Sequence, residues 1–121
     1  MAYETYEAPD DVQKRALELF DIARSTGKIK KGANEATKAV ERGTAKLVII
    51  AKDVTPPEIV MHLPALCDEK AIPYVFIKSK KQVGEASGIK IGCSASVILE
   101  SGEGKNNLKK LKEDIAKIRG K

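Results

Sequence analysis

The segment KGANEATKAVERG, residues 31–43, concentrates side chains that can hydrogen-bond to a polar ligand. On a helix, Asn34, Lys38 and Arg42 are spaced by four residues and lie on one side, with Glu35 beside them. Asparagine supplies a donor and acceptors, glutamate can accept a guanine amino or imino proton, and lysine can donate to guanine O6 or N7 or to a phosphate. Together these groups could recognise guanine edges next to a nucleic-acid backbone.

The glycine that precedes this helix, Gly32, would help such a site in two ways. It lets the chain turn sharply, and it lets a bulky partner approach the backbone closely. The helix that follows presents free N–H groups at its N-terminus, which suit a phosphate. Cationic side chains around the segment would add attraction for phosphates: Lys28, Lys30, Lys31, Lys38 and Arg42.

A simpler interpretation explains each of these residues without a ligand. Asn34 could cap the N-terminus of the helix. Lys31–Glu35 and Glu35–Lys38 could be surface ion pairs, which contribute little to stability. The polar side would then be an ordinary solvated helix face. Spacing alone leaves both interpretations open.

The segment ASGIKIGCSA, residues 86–95, places two isoleucines in an otherwise small and polar loop. Ile89 and Ile91 could cover an exposed base by apolar contact, or they could pack into the core. The segment is not a phosphate-binding loop, because the sequence contains neither GxxxxGKS nor GxxxxGKT.

The sequence offers little for catalysis or for metal binding. Cys67 and Cys93 form no CxxC pair, and His62 is the one histidine, so the usual spacing of zinc ligands does not occur. A nucleophilic Cys93 would need His62 nearby, and no nucleophile elbow surrounds it. We therefore predict a buried structural thiol, a helix-end packing role for His62, and no catalytic residue, metal or cofactor. A small enzyme that uses Cys93 is the alternative.

The composition is that of one basic domain, residues 1–121. Its 22 Lys and Arg exceed its 17 Asp and Glu, which gives a net charge of +5. Such a charge suggests a polyanionic partner, most often nucleic acid and less often an anionic membrane. With three Tyr, two Phe and no Trp, the chain has few aromatic rings on which to stack free bases. An RNA partner would therefore be recognised through backbone shape and base edges.

Three features predict a cytoplasmic protein without a membrane partner. The segment MAYETYEAPDD is acidic and polar, unlike a signal peptide. The longest apolar run, LVIIA, is too short to span a bilayer. Two cysteines without a paired pattern fit a reducing compartment.

Hydrophobic spacing predicts helices and strands that alternate along the chain. Helices are predicted over 9–27, 33–42, 59–66 and 79–87, followed by a last helix whose apolar face carries Leu108, Leu111, Ile115 and Ile118. Strands are predicted over 28–31, 46–51, 73–77 and 95–99, the first at an edge because its lysines discourage further pairing. We expect Gly43 to end the second helix and Pro64 to kink or split the third. The pattern indicates a three-layer α/β/α sandwich around a small, mostly parallel or mixed sheet of about four strands.

The segment KGANEATKAVERG and the following AKLVIIAKDVTPPEIVMHLPALCDEKAIPYVFIKSK closely resemble the archaeal large-subunit ribosomal proteins of the L-seven-Ae family. Relatives of that family include eukaryotic small nuclear ribonucleoprotein and nucleolar proteins. The resemblance covers almost the whole chain. It implies an α/β/α sandwich that binds kink-turn RNA, a sharply bent helix–bulge–helix with tandem sheared G·A pairs.

The resemblance also implies a structural role and not an enzymatic one. Family members occur in the ribosome, in box C/D and H/ACA guide ribonucleoproteins and in archaeal ribonuclease P, where they nucleate assembly on the RNA. The implied partners are ribosomal RNA, guide RNAs, ribonuclease P RNA and other ribonucleoprotein subunits. We expect the free protein to be monomeric. A protein-interaction module around Ile89 and the fourth predicted helix is a further alternative, and it could coexist with RNA binding.

Residue roles follow from the resemblance by position. Asn34, Glu35 and Lys38 are similar to the residues that recognise the guanines of the G·A pairs. Lys31 and Gly32 are similar to the backbone contacts beside them.

The resemblance extends to residues outside the start of this helix. Thr37 and Arg42 would support the site through phosphate contacts. Ile59 and Lys80 match a pocket that holds a flipped-out nucleotide of the bulge. The loop that covers the bulge and tunes RNA selectivity corresponds to Ile89, Lys90 and Ile91.

The chain departs from the family in this loop. Many archaeal relatives have Glu-Val-Pro-Cys where residues 90–93 are Lys-Ile-Gly-Cys. Glycine in place of proline should loosen the loop, since glycine is conformationally free where proline is fixed. The lysine adds attraction for the RNA backbone.

Overall fold

A computed structural model describes residues 6–120 of the protein. The helices in this part of the chain are α1 (Asp10–Thr26), α2 (Ala33–Glu41), α3 (Leu63–Glu69), α4 (Lys80–Ala86) and α5 (Lys105–Arg119). The strands are β1 (Lys28–Lys31), β2 (Leu47–Ala51), β3 (Tyr74–Ile77) and β4 (Ala95–Glu100). Short 3-10 turns lie at Pro57–Ile59 and Gly102–Gly104.

The four strands form one mixed sheet in the order β1-β4-β2-β3. β2 and β3 are parallel, whereas β4 runs antiparallel to both β1 and β2. The lysine-rich strand β1 is at the edge, as its sequence predicts. β2 is buried along its whole length, which explains its nearly continuous apolar run.

Helices cover both faces of the sheet, which confirms the three-layer α/β/α sandwich. α1 packs with α4 and α5, and α2 packs with α3. The core contains fully buried side chains from the helices and from the sheet, among them Phe20, Val40, Ile49, Leu63 and Val83. The amphipathic helices therefore bury their apolar faces against the sheet and leave their polar faces outward.

The end of α2 follows its sequence closely. Gly43 has a φ of +72°, a conformation that glycine adopts without a steric cost. Its N–H donates to the carbonyl of Val40, and the N–H of Thr44 donates to that of Ala39, each at 3.0 Å. These two bonds form a Schellman motif, so Gly43 ends the helix as predicted.

The structure corrects two details of the predicted helices. The segment 59–66 is split, as one of the two expected outcomes, but the break precedes Pro64: the 3-10 turn at Pro57–Ile59 is followed by a separate helix, α3. Pro64 lies in the first turn of α3, where its missing N–H would have no partner within the helix. Ile118 follows Ile115 by three residues on the apolar side of α5, but it is 40% exposed because it lies near the end of that helix.

Candidate nucleic-acid interface

The N-terminus of α2 begins at an open glycine. Gly32 has a φ of +99°, and a β-carbon built on it would meet no atom within 4 Å. Its N–H donates to the carbonyl of Ala95 on β4 at 2.8 Å, and its carbonyl accepts from the N–H of Ala36 at 3.0 Å. The sheet therefore fixes the position of this turn, while the space in front of the helix stays open to a partner.

Gly32, and not Asn34, occupies the capping position of α2. The capping role considered for Asn34 is therefore wrong, and this residue is the second of the helix, with an exposed side chain. Within the described part of the chain, no side chain accepts a hydrogen bond from the first turn of α2. The N–H groups there create a region of positive potential at the helix end, where an anion would be stabilised.

The polar face of α2 also contains the expected ion pair. Nζ of Lys38 lies 3.9 Å from Oε1 of Glu35, and both side chains are largely exposed. A surface pair of this kind contributes little to stability, so the two groups can be rearranged at low cost by a ligand. The opposite face of the helix packs into the core through Ala36, Ala39 and Val40.

An open depression of about 750 Å³ lies in front of the N-terminus of α2. Its walls come from the end of β1, the first turn of α2 and the 3-10 turn at Pro57–Ile59. The residues that precede α3 and β4 complete them. It contains five of the residues predicted for the site, which are Lys31, Gly32, Asn34, Glu35 and Ile59. It also contains Glu58, His62 and Ser94, which the sequence analysis did not assign to the site.

His62 reaches this depression through a contact with Thr37. Nε2 of the ring lies 2.7 Å from Oγ1 of Thr37, and Oγ1 also donates to the carbonyl of Ala33 at 2.7 Å. The phosphate contact assigned to Thr37 stays a prediction, but the structure gives its hydroxyl two protein partners. His62 is exposed, so it does not have the packing role predicted for it. No local sequence pattern could reveal this contact, since 25 residues separate the two side chains.

The remaining residues that were predicted to contact the bulge of the RNA lie on α4 and the following loop. The N–H of Lys80 donates to Oδ1 of Asp53 at 2.8 Å, and its carbonyl accepts from the N–H of Cys93 at 3.0 Å. Lys80 is therefore held beside the end of the 88–92 loop with its side chain exposed. Ile89 packs partly against the core, as one interpretation of the two isoleucines expects. Ile91 is 75% exposed, and its contact with a base stays a prediction.

Arg42 is the predicted site residue that lies farthest along α2. It follows the last turn of the helix, about 12 Å from Asn34 at 1.5 Å per residue. It does not line the depression, and neither do the lysines of α5. A phosphate contact by Arg42 would need an RNA that extends along the whole exposed face of α2.

The structure does not support a cysteine nucleophile. Both cysteines are buried, and the thiol of Cys93 donates to the carbonyl of Ala95 at 3.0 Å. Burial raises the pKa of the Cys67 thiol to about 12, which keeps it protonated and unreactive. Over residues 6–120, no three or more potential metal ligands lie together, and no helix is long and apolar enough to cross a membrane.

The fold is that of a known class of small RNA-binding α/β proteins. A family model described as the ribosomal protein L7Ae/L30e/S12e/Gadd45 family matches residues 14–108. The structure is also similar to that of the 15.5kD RNA binding protein of Giardia lamblia. The two chains are 36% identical, the match covers 97% of each, and the TM-score is 0.88.

The chain therefore belongs to the ribosomal protein L7Ae/L30e/S12e/Gadd45 family. Members of the L7Ae family are RNA-binding structural proteins and not enzymes. The family match and the structural match together support RNA binding as the general activity of this chain, and they remove the basis for the enzymatic alternative.

Proposed function

We propose that the protein binds kink-turn RNA and stabilises its bent form, with the chain acting as one RNA-binding domain, residues 1–121. One observation carries the proposal. The N-terminus of α2 is open and without a side-chain cap among the described residues, and an asparagine, a glutamate and a lysine surround it. A helix end with unpaired N–H groups suits phosphate, and the side chains supply donors and acceptors for guanine.

Two parts of the site would contact different parts of the RNA. Asn34, Glu35 and Lys38 would hydrogen-bond to the guanines of the sheared G·A pairs. Glu35 accepts, while Asn34 and Lys38 donate, so adjacent guanine edges can be matched at fixed positions. Lys31 and the Gly32 backbone would hold the neighbouring phosphates, since a partner can approach Gly32 without meeting a side chain.

The bulge would bind at the rim of the depression. Ile59 is 43% exposed and supplies an apolar surface for a flipped-out nucleotide, and Lys80 supplies a cation for its phosphate. The loop 88–92 would cover the nucleotide through the exposed Ile91, with Lys90 beside it. Ile89 would hold the loop to the core, because it is already half-buried there.

The mechanism is selection of an RNA conformation. A kink-turn samples bent and extended forms, and a protein that binds only the bent form shifts the equilibrium by its differential affinity. No bond is made or broken. The rigid attachment of Gly32 to β4 supports this mechanism, because a pre-formed surface does not lose ordering entropy on binding.

We also propose the particles that the protein serves, from its resemblance to the L7Ae proteins. We assign it to the large ribosomal subunit and to box C/D guide, H/ACA guide and ribonuclease P RNAs, as a nucleating subunit in the cytoplasm that other ribonucleoprotein subunits join. The printed name of the Giardia lamblia relative, an RNA binding protein, supports the RNA part of this assignment.

Titration calorimetry tests the proposal. The protein is titrated with a kink-turn duplex and with the same duplex whose G·A pairs are replaced by G·C pairs, at one fixed salt concentration because phosphate binding depends on salt. We expect tight binding to the first duplex and weak binding to the second. Equal binding to both would mean that a basic surface meets RNA without recognising the motif, and the proposal would be wrong.

A further inference from the structure

The hydroxyl of Thr37 contacts both the ring of His62 and the backbone of α2, and this pair of contacts favours a proton on Nε2 of the ring. Oγ1 has a single hydrogen, and that hydrogen is donated to the carbonyl of Ala33 at 2.7 Å. Nε2 of His62 lies equally close to the same oxygen, at 2.7 Å. Two lone pairs at this distance would repel each other, so while Oγ1 donates to Ala33, Nε2 carries the proton and donates to Thr37.

This proton assignment leaves Nδ1 of the neutral ring as a hydrogen-bond acceptor. The nearest natural partners for Nδ1 are the first N–H groups of α3, because His62 occupies the capping position of that helix. The ring makes no such capping bond, and the hydrogen bond of the ring within residues 6–120 is the one to Thr37. Among residues 6–120, Nδ1 therefore has no protein partner and is left as an acceptor.

The ring lines the same depression as the first turn of α2. His62 shares this depression with Asn34, Glu35 and Ile59, and its side chain is exposed. Nε2, the ring nitrogen farther from the backbone of His62, makes the contact with Thr37. Because Thr37 belongs to α2, that helix holds the ring in place. An RNA that binds in front of α2 would lie beside this ring.

We propose that Nδ1 of His62 accepts a hydrogen bond from the bound RNA and is a specificity-determining contact of the site. The inference rests on the proposed RNA-binding function. The donor is either a ribose 2′-hydroxyl or a base N–H, since RNA carries both, whereas a phosphate can only accept. In the first case His62 distinguishes RNA from DNA, and in the second it distinguishes among bases.

Two substitutions separate the two nitrogens of the ring. In His62→Gln the terminal amide replaces Nε2 and keeps the contact with Thr37, but no acceptor remains at the Nδ1 position. In His62→Asn the shorter amide places an oxygen near the Nδ1 position and loses the contact with Thr37. We expect His62→Gln to raise the Kd for kink-turn RNA about fivefold to tenfold, the usual effect of one neutral hydrogen bond, and His62→Asn to raise it less.

Modified RNAs identify the donor. Kink-turn duplexes with single 2′-deoxy substitutions test the ribose, and duplexes with inosine in place of guanine remove the exocyclic amino group. One of these changes should weaken binding to the wild-type protein and have no further effect on His62→Gln, because the same bond is already lost. If every modification weakens both proteins equally, His62 has only a structural role and the inference is wrong.

Nitrogen chemical shifts provide a readout that can be measured on the wild-type protein. Since His62 is the one histidine in the sequence, its two ring nitrogens give an unambiguous pair of NMR signals. We expect a protonated Nε2 and a bare Nδ1 in the neutral ring of the free protein, and a shift of the Nδ1 signal when RNA binds. The Thr37→Val variant should lose the preference for the Nε2 proton. An unmoved Nδ1 signal, or two protonated nitrogens in the complex, would overturn the inference.

The failure of this inference and the failure of the proposed function give different results. If the wild-type protein does not distinguish the kink-turn from the G·C duplex, the proposed function fails. If it does distinguish them while His62→Gln binds like the wild type, the function stands and His62 has no part in recognition.

Discussion

Gly84 of α4 lies directly against the backbone carbonyl of Ile91. A β-carbon added to Gly84 would come within 2.1 Å of that oxygen, and the carbonyl of Gly84 accepts a hydrogen bond from the N–H of Ile89 at 3.0 Å. The loop that carries the most exposed isoleucine of the described chain is therefore positioned by the absence of a side chain on α4. Glycine within a helix is destabilising. The close contact with the Ile91 carbonyl explains why this position nevertheless needs a glycine.

Gly84→Ala should displace the 88–92 loop. The new methyl group meets backbone and not a flexible side chain, so we expect a loss of about 1–3 kcal/mol in the free energy of unfolding, together with weaker binding of kink-turn RNA. Urea denaturation and calorimetry measure the two effects. Glu85→Ala is the matched control, because Glu85 is the exposed neighbour on the same helix and should change stability by less than about 0.5 kcal/mol. Wild-type behaviour of Gly84→Ala would contradict the role given to this contact.

Glu35→Ala should remove the discrimination between G·A and G·C pairs. A well-placed base contact contributes about 1–3 kcal/mol of discrimination, and we expect the ratio of the two dissociation constants to fall accordingly. Glu41→Ala, at an exposed position near the other end of α2, should leave this ratio unchanged. A preference for G·A pairs that survives in Glu35→Ala would exclude the proposed role of this carboxylate.

The salt dependence of binding should distinguish the lysine beside Gly32 from the lysines of α5. Lys31→Ala should reduce the slope of log K against log salt by about 1, because one phosphate contact is lost. Lys110→Ala, an exposed residue of α5 outside the depression, should weaken binding little and without sequence dependence. A large, sequence-specific loss in Lys110→Ala would place the last helix within the site.

Arg119→Lys should destabilise the protein. The guanidinium donates to both carboxylate oxygens of Asp68, at 2.8 and 3.2 Å. It also lies over the rings of Tyr6 and Tyr74, 5.1 and 4.9 Å from their centroids. A lysine cannot reproduce this planar two-point geometry, so we expect a loss of about 1–3 kcal/mol in the free energy of unfolding. The control is Arg24→Lys, whose exposed pair with Asp21 should be nearly neutral; equal effects of the two variants would refute the prediction.

Asp114 should contribute to the loss of stability in acid. The hydrogen bond from Arg15, at 2.7 Å, lowers the pKa of the Asp114 carboxyl below its ordinary value. A lowered pKa in the folded state stabilises the protein above the ordinary pKa of aspartate, and this contribution is lost as the pH falls through the lowered value. Asp114→Asn should therefore be less stable at neutral pH and lose less stability between neutral pH and about pH 3. Parallel pH profiles in urea denaturation would contradict this.

Much of the fold could be predicted because the signals are local. The 3.6-residue spacing of Val12, Ala16, Leu19 and Ala23 predicts α1, and the buried run 47–51 predicts β2. The end of α2 at Gly43 depends on its own neighbours, and the capping hydroxyl of Ser79 accepts from the N–H of Gln82 only three residues away. Such features depend on propensity and spacing within a few residues, which the sequence contains.

Local spacing also explains which part of the candidate site could be predicted. Asn34, Glu35 and Lys38 belong to a single helix, so their spacing alone places them on one face. Their roles toward RNA stay predictions that the experiments above test.

The tertiary structure decided the features that depend on contacts between distant segments. Gly32 occupies the capping position because its N–H pairs with Ala95 of β4, and no local pattern could exclude Asn34 from that role. Which isoleucine of the loop is buried depends on how the loop lies against α4. His62 lines the depression because α3 packs beside α2 and brings the ring to Thr37. The amino-acid sequence by itself determined the strands, most of the helices and the polar face of α2, whereas the packing of the layers determined which other residues line the depression. The physical reason is that side chains far apart in the chain become neighbours only when the core between them forms.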